Sequence, residues 1–157
     1  PKPFTPFQWE PEDSMESLKA KQKHLLESIP TKKIRVSYHE TPTSLLEGVL
    51  ARGDRRLGKV ILRAYELGCK FDSWDDQFNF DAWMQAFDEN GIDPHFYTHR
   101  KREFSELLPW DHLDYGVKFL EFENKKAHEN KTTPHCRIKC AGCGANKLNG
   151  GHCDARG

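Results

Sequence analysis

LLEGVLARGDRRLGKVILRAYELG, residues 45–68, decides the architecture. Leu45, Leu46, Val49 and Leu50 recur at helical spacing and stop at Gly53, behind a start signal in which Thr41 caps and Pro42 fills the first turn. Asp54 opens a second helix, whose apolar stripe of Leu57, Val60, Ile61, Ala64 and Tyr65 closes at Gly68. Two short amphipathic helices with a tight link between them need other helices against which to bury their faces.

The flanks supply them. Upstream, four prolines within residues 1–12 predict an extended backbone and forbid a helix. Asp13, with Glu16 three positions on, then predicts a helix start, and Met15, Leu18, Leu25, Leu26 and Ile29 share a face up to Pro30. Ile34, Val36 and Tyr38 alternate with polar residues, the period of a short strand. Downstream, Phe80, Trp83, Met84 and Phe87 repeat at helical spacing up to Gly91, and this stripe reads as core rather than as a cofactor box. Residues 92–116 read as irregular, with turn signals at Asp93-Pro94 and Pro109, and a last helix is expected over 117–129 on Phe119, Leu120, Phe122 and Ala127. From Lys131 the chain reads as loop. The expected fold is mainly α with a short strand or two (α+β), divided into residues 1–40, a helical region 41–130 and a Cys-rich tail 131–157.

Composition narrows the partners. Lys+Arg and Asp+Glu both number 24 in 157 residues, so no net field draws in a nucleic acid or an anionic membrane. A hydrophobic share of 36% predicts a thin core. No apolar run approaches the roughly 20 residues that cross a bilayer, and PKPFTPFQWE lacks the parts of a signal peptide. The reading is therefore cytoplasmic, with no membrane partner. The opening on Pro1 leads us to expect a piece of a longer protein.

In such a compartment clustered thiols are metal-binding or catalytic more often than disulfide-forming, and an odd total of five cysteines agrees. Cys136, Cys140 and Cys143 stand in a C-x3-C-x2-C pattern with Cys153 further on, in a Gly- and Lys-rich tail that has almost nothing apolar to bury. Thiolates in this arrangement suit zinc or an Fe–S cluster, whose binding would return its energy as order in the tail; the competing reading is free surface thiols. His135 and His152 flank the cysteines as imidazole alternatives, or as solvated loop residues. Cys69 reads as a half-buried structural thiol.

Arg52, Arg55 and Arg56, with Lys59, gather at the start of a helix, where N–H groups already favour an anion; the competing reading pairs them with Asp54 and other acids. The run HRKRE, residues 99–103, could touch an RNA backbone or simply be solvated. Asp111 and His112 offer an acid and a base, although a capping Asp after Pro109 and Trp110 accounts for them about as well. No Gly-rich phosphate loop, nucleophile elbow or HExxH pattern is present, so the chain carries no self-sufficient active site that we identify.

PKPFTPFQW, residues 1–9, resembles the closing strand region of radical S-adenosylmethionine (SAM) barrels, and methylthiotransferases have a comparable stretch. LLEGVLARGDRRLGKVILRAYELGCKFDSW (45–74), LPWDHLDYGV (108–117) and TTPHCRIKCAGCG (132–144) widen it: together they resemble the C-terminal region of B12-binding-domain-containing radical SAM iron–sulfur proteins. The resemblance implies a parent enzyme of undefined substrate. Its N-terminal part would hold cobalamin, and a barrel would bind S-adenosylmethionine on a [4Fe–4S] cluster to generate a 5′-deoxyadenosyl radical. Residues 1–40 would then end the barrel, 41–130 form a helical accessory domain and 131–157 a tail holding an auxiliary Fe–S cluster or zinc. The barrel would be the chief partner. Although Cys136, Cys140 and Cys143 share the spacing of the barrel's own cluster motif, they lie beyond the barrel's end and are not assigned to it. Related tails place a fourth cysteine soon after the third, where this chain has Ala145 and Asn146, so Cys153 is the fourth-ligand candidate, with a histidine or an open position as the alternatives. The rival reading is a zinc-stabilised helical module that binds RNA or protein without catalysis.

Overall fold

The computed structural model describes residues 1–31, 33–74, 76–113 and 115–147. Among the described residues six α-helices run in order: α1 Met15–Glu27, α2 Thr41–Arg52, α3 Leu57–Glu66, α4 Phe80–Glu89, α5 His95–Thr98 and α6 Val117–His128, followed by a 3-10 turn at Ala145–Lys147. No helix among the described residues is long and apolar enough to cross a membrane. The mainly helical expectation holds. The strand does not: residues 33–40 form no strand, and no strand exists among the described residues. The alternation of Ile34, Val36 and Tyr38 fails because a strand needs a neighbour to take its N–H and C=O groups, and Ile34 and Tyr38 lie largely in solvent.

The chain forms two compact units, one spanning Glu10–Lys101 and the other combining Pro1–Trp9 with the chain from Arg102 onward. The boundaries of these units fall at residues 10 and 102.

In the Glu10–Lys101 unit, α3 packs on α4, and α2 on α1 and α5. Leu45, Leu46 and Val49 of α2 meet Leu57, Val60 and Ala64 of α3, Trp83 and Phe87 of α4, and Tyr97 of α5. Each of these helices buries a narrow stripe, and the outer edges predicted to join it, Leu50, Ile61 and Tyr65, are exposed. α1 starts one residue later than expected. Ser14 Oγ accepts the Ser17 N–H at 3.2 Å as the cap, while Asp13 pairs with Lys21. α1 buries no residue, and its Leu25 and Leu26 face solvent. The end of α3 requires Gly68: its φ of 96° lets the Cys69 N–H reach Ala64 O at 2.9 Å.

The other unit is built around Trp9, Leu108, Trp110 and Leu120. Where the prolines predict an extended run, the chain turns instead: Gln8 N–H donates to Thr5 O at 3.0 Å, and Phe4 has φ of 60°. Proline's preset φ suits the first corner of a turn as well as an extended chain. Trp9 packs edge-on to Phe104 at 4.9 Å, and its carbonyl accepts the Arg102 N–H at 2.8 Å. Gln8, fully buried, holds the segment in place: Oε1 accepts from Phe4 N–H and from Trp110 Nε1–H, each at 2.9 Å. Asn124 of α6, also buried, donates to Pro6 O at 2.8 Å.

Candidate functional site

The tail leaves α6 through a polar anchor. Thr133 Oγ1 donates to Glu123 Oε2 at 2.6 Å and accepts from Lys126, which also pairs with Glu123 at 3.6 Å. A turn follows at Pro134, closed by Ile138 N–H donating to His135 O at 2.8 Å, and it carries Cys136. The chain then runs without regular structure through CAGCG, residues 140–144, where Gly142 N–H donates to Cys140 Sγ at 3.4 Å. Gly142 and Gly144 take φ of 74° and 81°, values that a side chain rarely tolerates. The Cys143 carbonyl lies over Gly116 at the start of α6, where an added Cβ would stand 3.5 Å from it.

Cys136, Cys140 and Cys143 are free and exposed. Ile138 beside them is 80% exposed, so among the described residues of the tail no apolar cluster pulls the thiols together. Among the described residues no three metal-ligating side chains are gathered into one group. Cys153 and His152 lie outside the described residues. What the tail does possess is an amide aimed at a sulfur, the kind of contact that fixes where a thiolate's remaining lone pairs point. His135 fits less well as a ligand: its Nδ1 accepts the Arg137 N–H at 3.2 Å, which places the ring proton on Nε2 and removes that lone pair from coordination.

The arginines separate. Arg52 is 1% exposed and donates through Nη2 to Glu10 O at 3.0 Å and through Nη1 to Thr98 O at 3.4 Å, so it braces the unit from inside and is not an anion ligand at a helix end. Burial lowers its proton affinity and Glu12 opposes that; Glu12 itself is pushed above the usual carboxylate range by burial. Arg56 grips Asp54, with Nη2 to Oδ2 at 2.7 Å and Nε to Oδ1 at 3.0 Å, which holds that carboxyl below its ordinary range. Arg55 is exposed.

Asp111 acts as a structural hub, accepting Leu108 N–H at 2.6 Å and the Tyr115 hydroxyl at 2.5 Å. Burial first and this carboxylate second push Tyr115 up to about 12. His112 turns away, with Nδ1 at 3.1 Å from Pro109 O, so no acid–base pair forms. Cys69 is buried, its thiol donating to Asn79 O at 3.8 Å, and burial raises its pKa.

Two juxtapositions escape the sequence reading. Arg56, from one basic stretch, and Arg100, from the other, both lie over the Phe96 ring, 5.5 Å and 4.3 Å from its centre. His95 and His99 stand ring to ring within the segment read as irregular. The signal for the second was their spacing of four, which means one face only once a helical turn is known to form there.

No family model matches the chain, and no match was found among curated proteins or solved structures.

Proposed function

We propose that this chain is the C-terminal accessory region of a cytoplasmic radical SAM iron–sulfur enzyme, with an auxiliary Fe–S cluster or zinc held by Cys136, Cys140, Cys143 and Cys153. Three stretches supporting the resemblance, residues 1–9, 108–117 and 132–144, belong to the same compact unit. The single observation that supports the metal reading is the amide of Gly142 donating to Cys140 Sγ, in a segment of exposed thiols whose glycines 142 and 144 take positive φ. S-adenosylmethionine, its [4Fe–4S] cluster and cobalamin belong in this reading to the N-terminal parts of the parent enzyme, with which the helices pack to shape substrate entry. The tail cluster would relay electrons or bind substrate. The test is anaerobic purification of the chain joined to that barrel, with iron and sulfide analysis and an assay of S-adenosylmethionine cleavage. Replacing Cys136, Cys140 and Cys143 with Ala should remove one cluster's worth of iron. Protein without iron sinks the reading.

A second reading, a zinc-stabilised helical module that binds RNA or protein, draws support from Phe96, a 43%-exposed ring flanked by Arg56 and Arg100. Exposed aromatic faces between guanidinium groups suit base stacking next to phosphate. Colourless protein with stoichiometric zinc, and single-stranded RNA binding lost on Phe96→Ala, would favour it.

A further inference from the structure

His95 opens α5 and His99 follows it, four residues apart on one helical turn, with ring centres 4.7 Å apart and planes at 75°. Each ring has its Nδ1 occupied. Asp93 Oδ1 accepts the His95 backbone N–H at 2.8 Å and His95 Nδ1 at 3.1 Å. A carboxylate has no proton to give, so Nδ1 of His95 is the donor. Thr98 Oγ1, fully buried, donates its one proton to Pro94 O at 3.3 Å and stands 2.6 Å from His99 Nδ1. When the hydroxyl proton goes to Pro94 O, Oγ1 accepts at His99 Nδ1, which then carries its hydrogen; in the other tautomer Oγ1 donates across the 2.6 Å contact. In the first tautomer both Nε2 atoms are left with bare lone pairs.

This is the arrangement that prepares imidazole for a metal: one nitrogen tied by a hydrogen bond that fixes tautomer and ring angle, the other exposed as ligand. Two nitrogens bound to one ion at about 2.0–2.1 Å need to be roughly 3.3 Å apart, within reach of rings this close.

We propose that His95 and His99 form a binding site for a borderline divalent ion of the zinc, nickel or copper class, distinct from the tail cysteines, with water in the remaining positions. Asp93 and Thr98 are its positioning residues. The sulfur-free donor set selects against iron–sulfur chemistry, and with no third protein ligand among the described residues this is an exchangeable site rather than a structural one.

The experiment is a Zn²⁺ titration of the full chain carrying Cys→Ser at positions 136, 140, 143 and 153, read by calorimetry and by imidazole ¹⁵N resonances. One ion is expected, moving the Nε2 signals of His95 and His99 while their Nδ1 atoms stay protonated. His95→Ala should weaken binding at least tenfold, and Asp93→Asn, which removes no ligand, by a smaller factor. Should the Cys-free variant fail to fold, the same ¹⁵N signals are followed in the unaltered chain. Binding that survives His95→Ala unchanged, or Nε2 signals that do not move on adding Zn²⁺, overturns the proposal. The tail reading is untouched by either result, because it is scored on the cysteines.

Discussion

The two compact units are held together by different physics. Glu10–Lys101 is a continuous stretch whose helices each donate an apolar stripe to one core, so its stability is mainly hydrophobic burial. The other unit joins nine N-terminal residues to a segment more than ninety positions later, around a small aromatic core and a buried amide that spends its oxygen on two donors. Closing so long a loop costs entropy before any contact forms, which the local helical contacts of the first unit avoid. Burial by periodicity can be read residue by residue, whereas a unit made from distant pieces depends on a few polar contacts that must all be satisfied.

The largest expected effect tests the aromatic core. Trp9→Ala should cost about 3–5 kcal/mol, and hydrogen exchange should accelerate along 102–130 more than in α2, α3 and α4. Equal acceleration throughout would break the distinction between the units. Next, Arg52→Ala removes the brace on the Glu10 and Thr98 carbonyls and should cost about 2–3 kcal/mol in denaturant titration, while Arg55→Ala, at an exposed site, should stay within about 0.5 kcal/mol. A large effect at Arg55 would restore it as a site in its own right. Gln8→Ala strands the donors of Trp110 and Phe4 and should cost about 1–2 kcal/mol, with the Trp110 indole proton exchanging faster by NMR.

The smallest effect is one of pH. His99 faces His95, Asp93 and Glu16, and in the folded chain it sits below its ordinary 6.5. The unfolded chain therefore takes up the proton first, so this contribution to stability is present above pH 6.5 and declines as pH falls through the native value. His99→Gln should flatten the slope of thermal stability across that window. An unchanged slope would mean that the ring is solvated like any surface histidine.

Particular residues explain what could be read in advance. α2, α3, α4 and α6 were legible because Val49, Val60, Phe87 and Leu120 recur with a period that has one physical solution when a face must leave water. α5 was not, since four residues carry no periodicity and Asp93-Pro94 signals only a turn. The strand reading of Ile34, Val36 and Tyr38 failed for want of a partner, a property of the whole fold. At the candidate metal site, the spacing of Cys136, Cys140 and Cys143 was visible from the start, whereas the amide on Cys140 Sγ emerged only with the backbone. Arg52 and Arg56 look alike in sequence, yet one is sealed inside and the other lies over an exposed ring.

Residue order alone determined the helical character of the chain and the concentration of thiols near the end, because composition and short-range periodicity act over a few neighbouring residues. Only the tertiary structure decided that Pro1–Trp9 folds with the segment beyond Arg102, that Arg56 and Arg100 meet at Phe96, and that His95 faces His99 with both Nδ1 atoms engaged. The reason is physical: long-range partnerships are chosen by which buried polar groups can be satisfied together, and linear spacing carries no record of that choice.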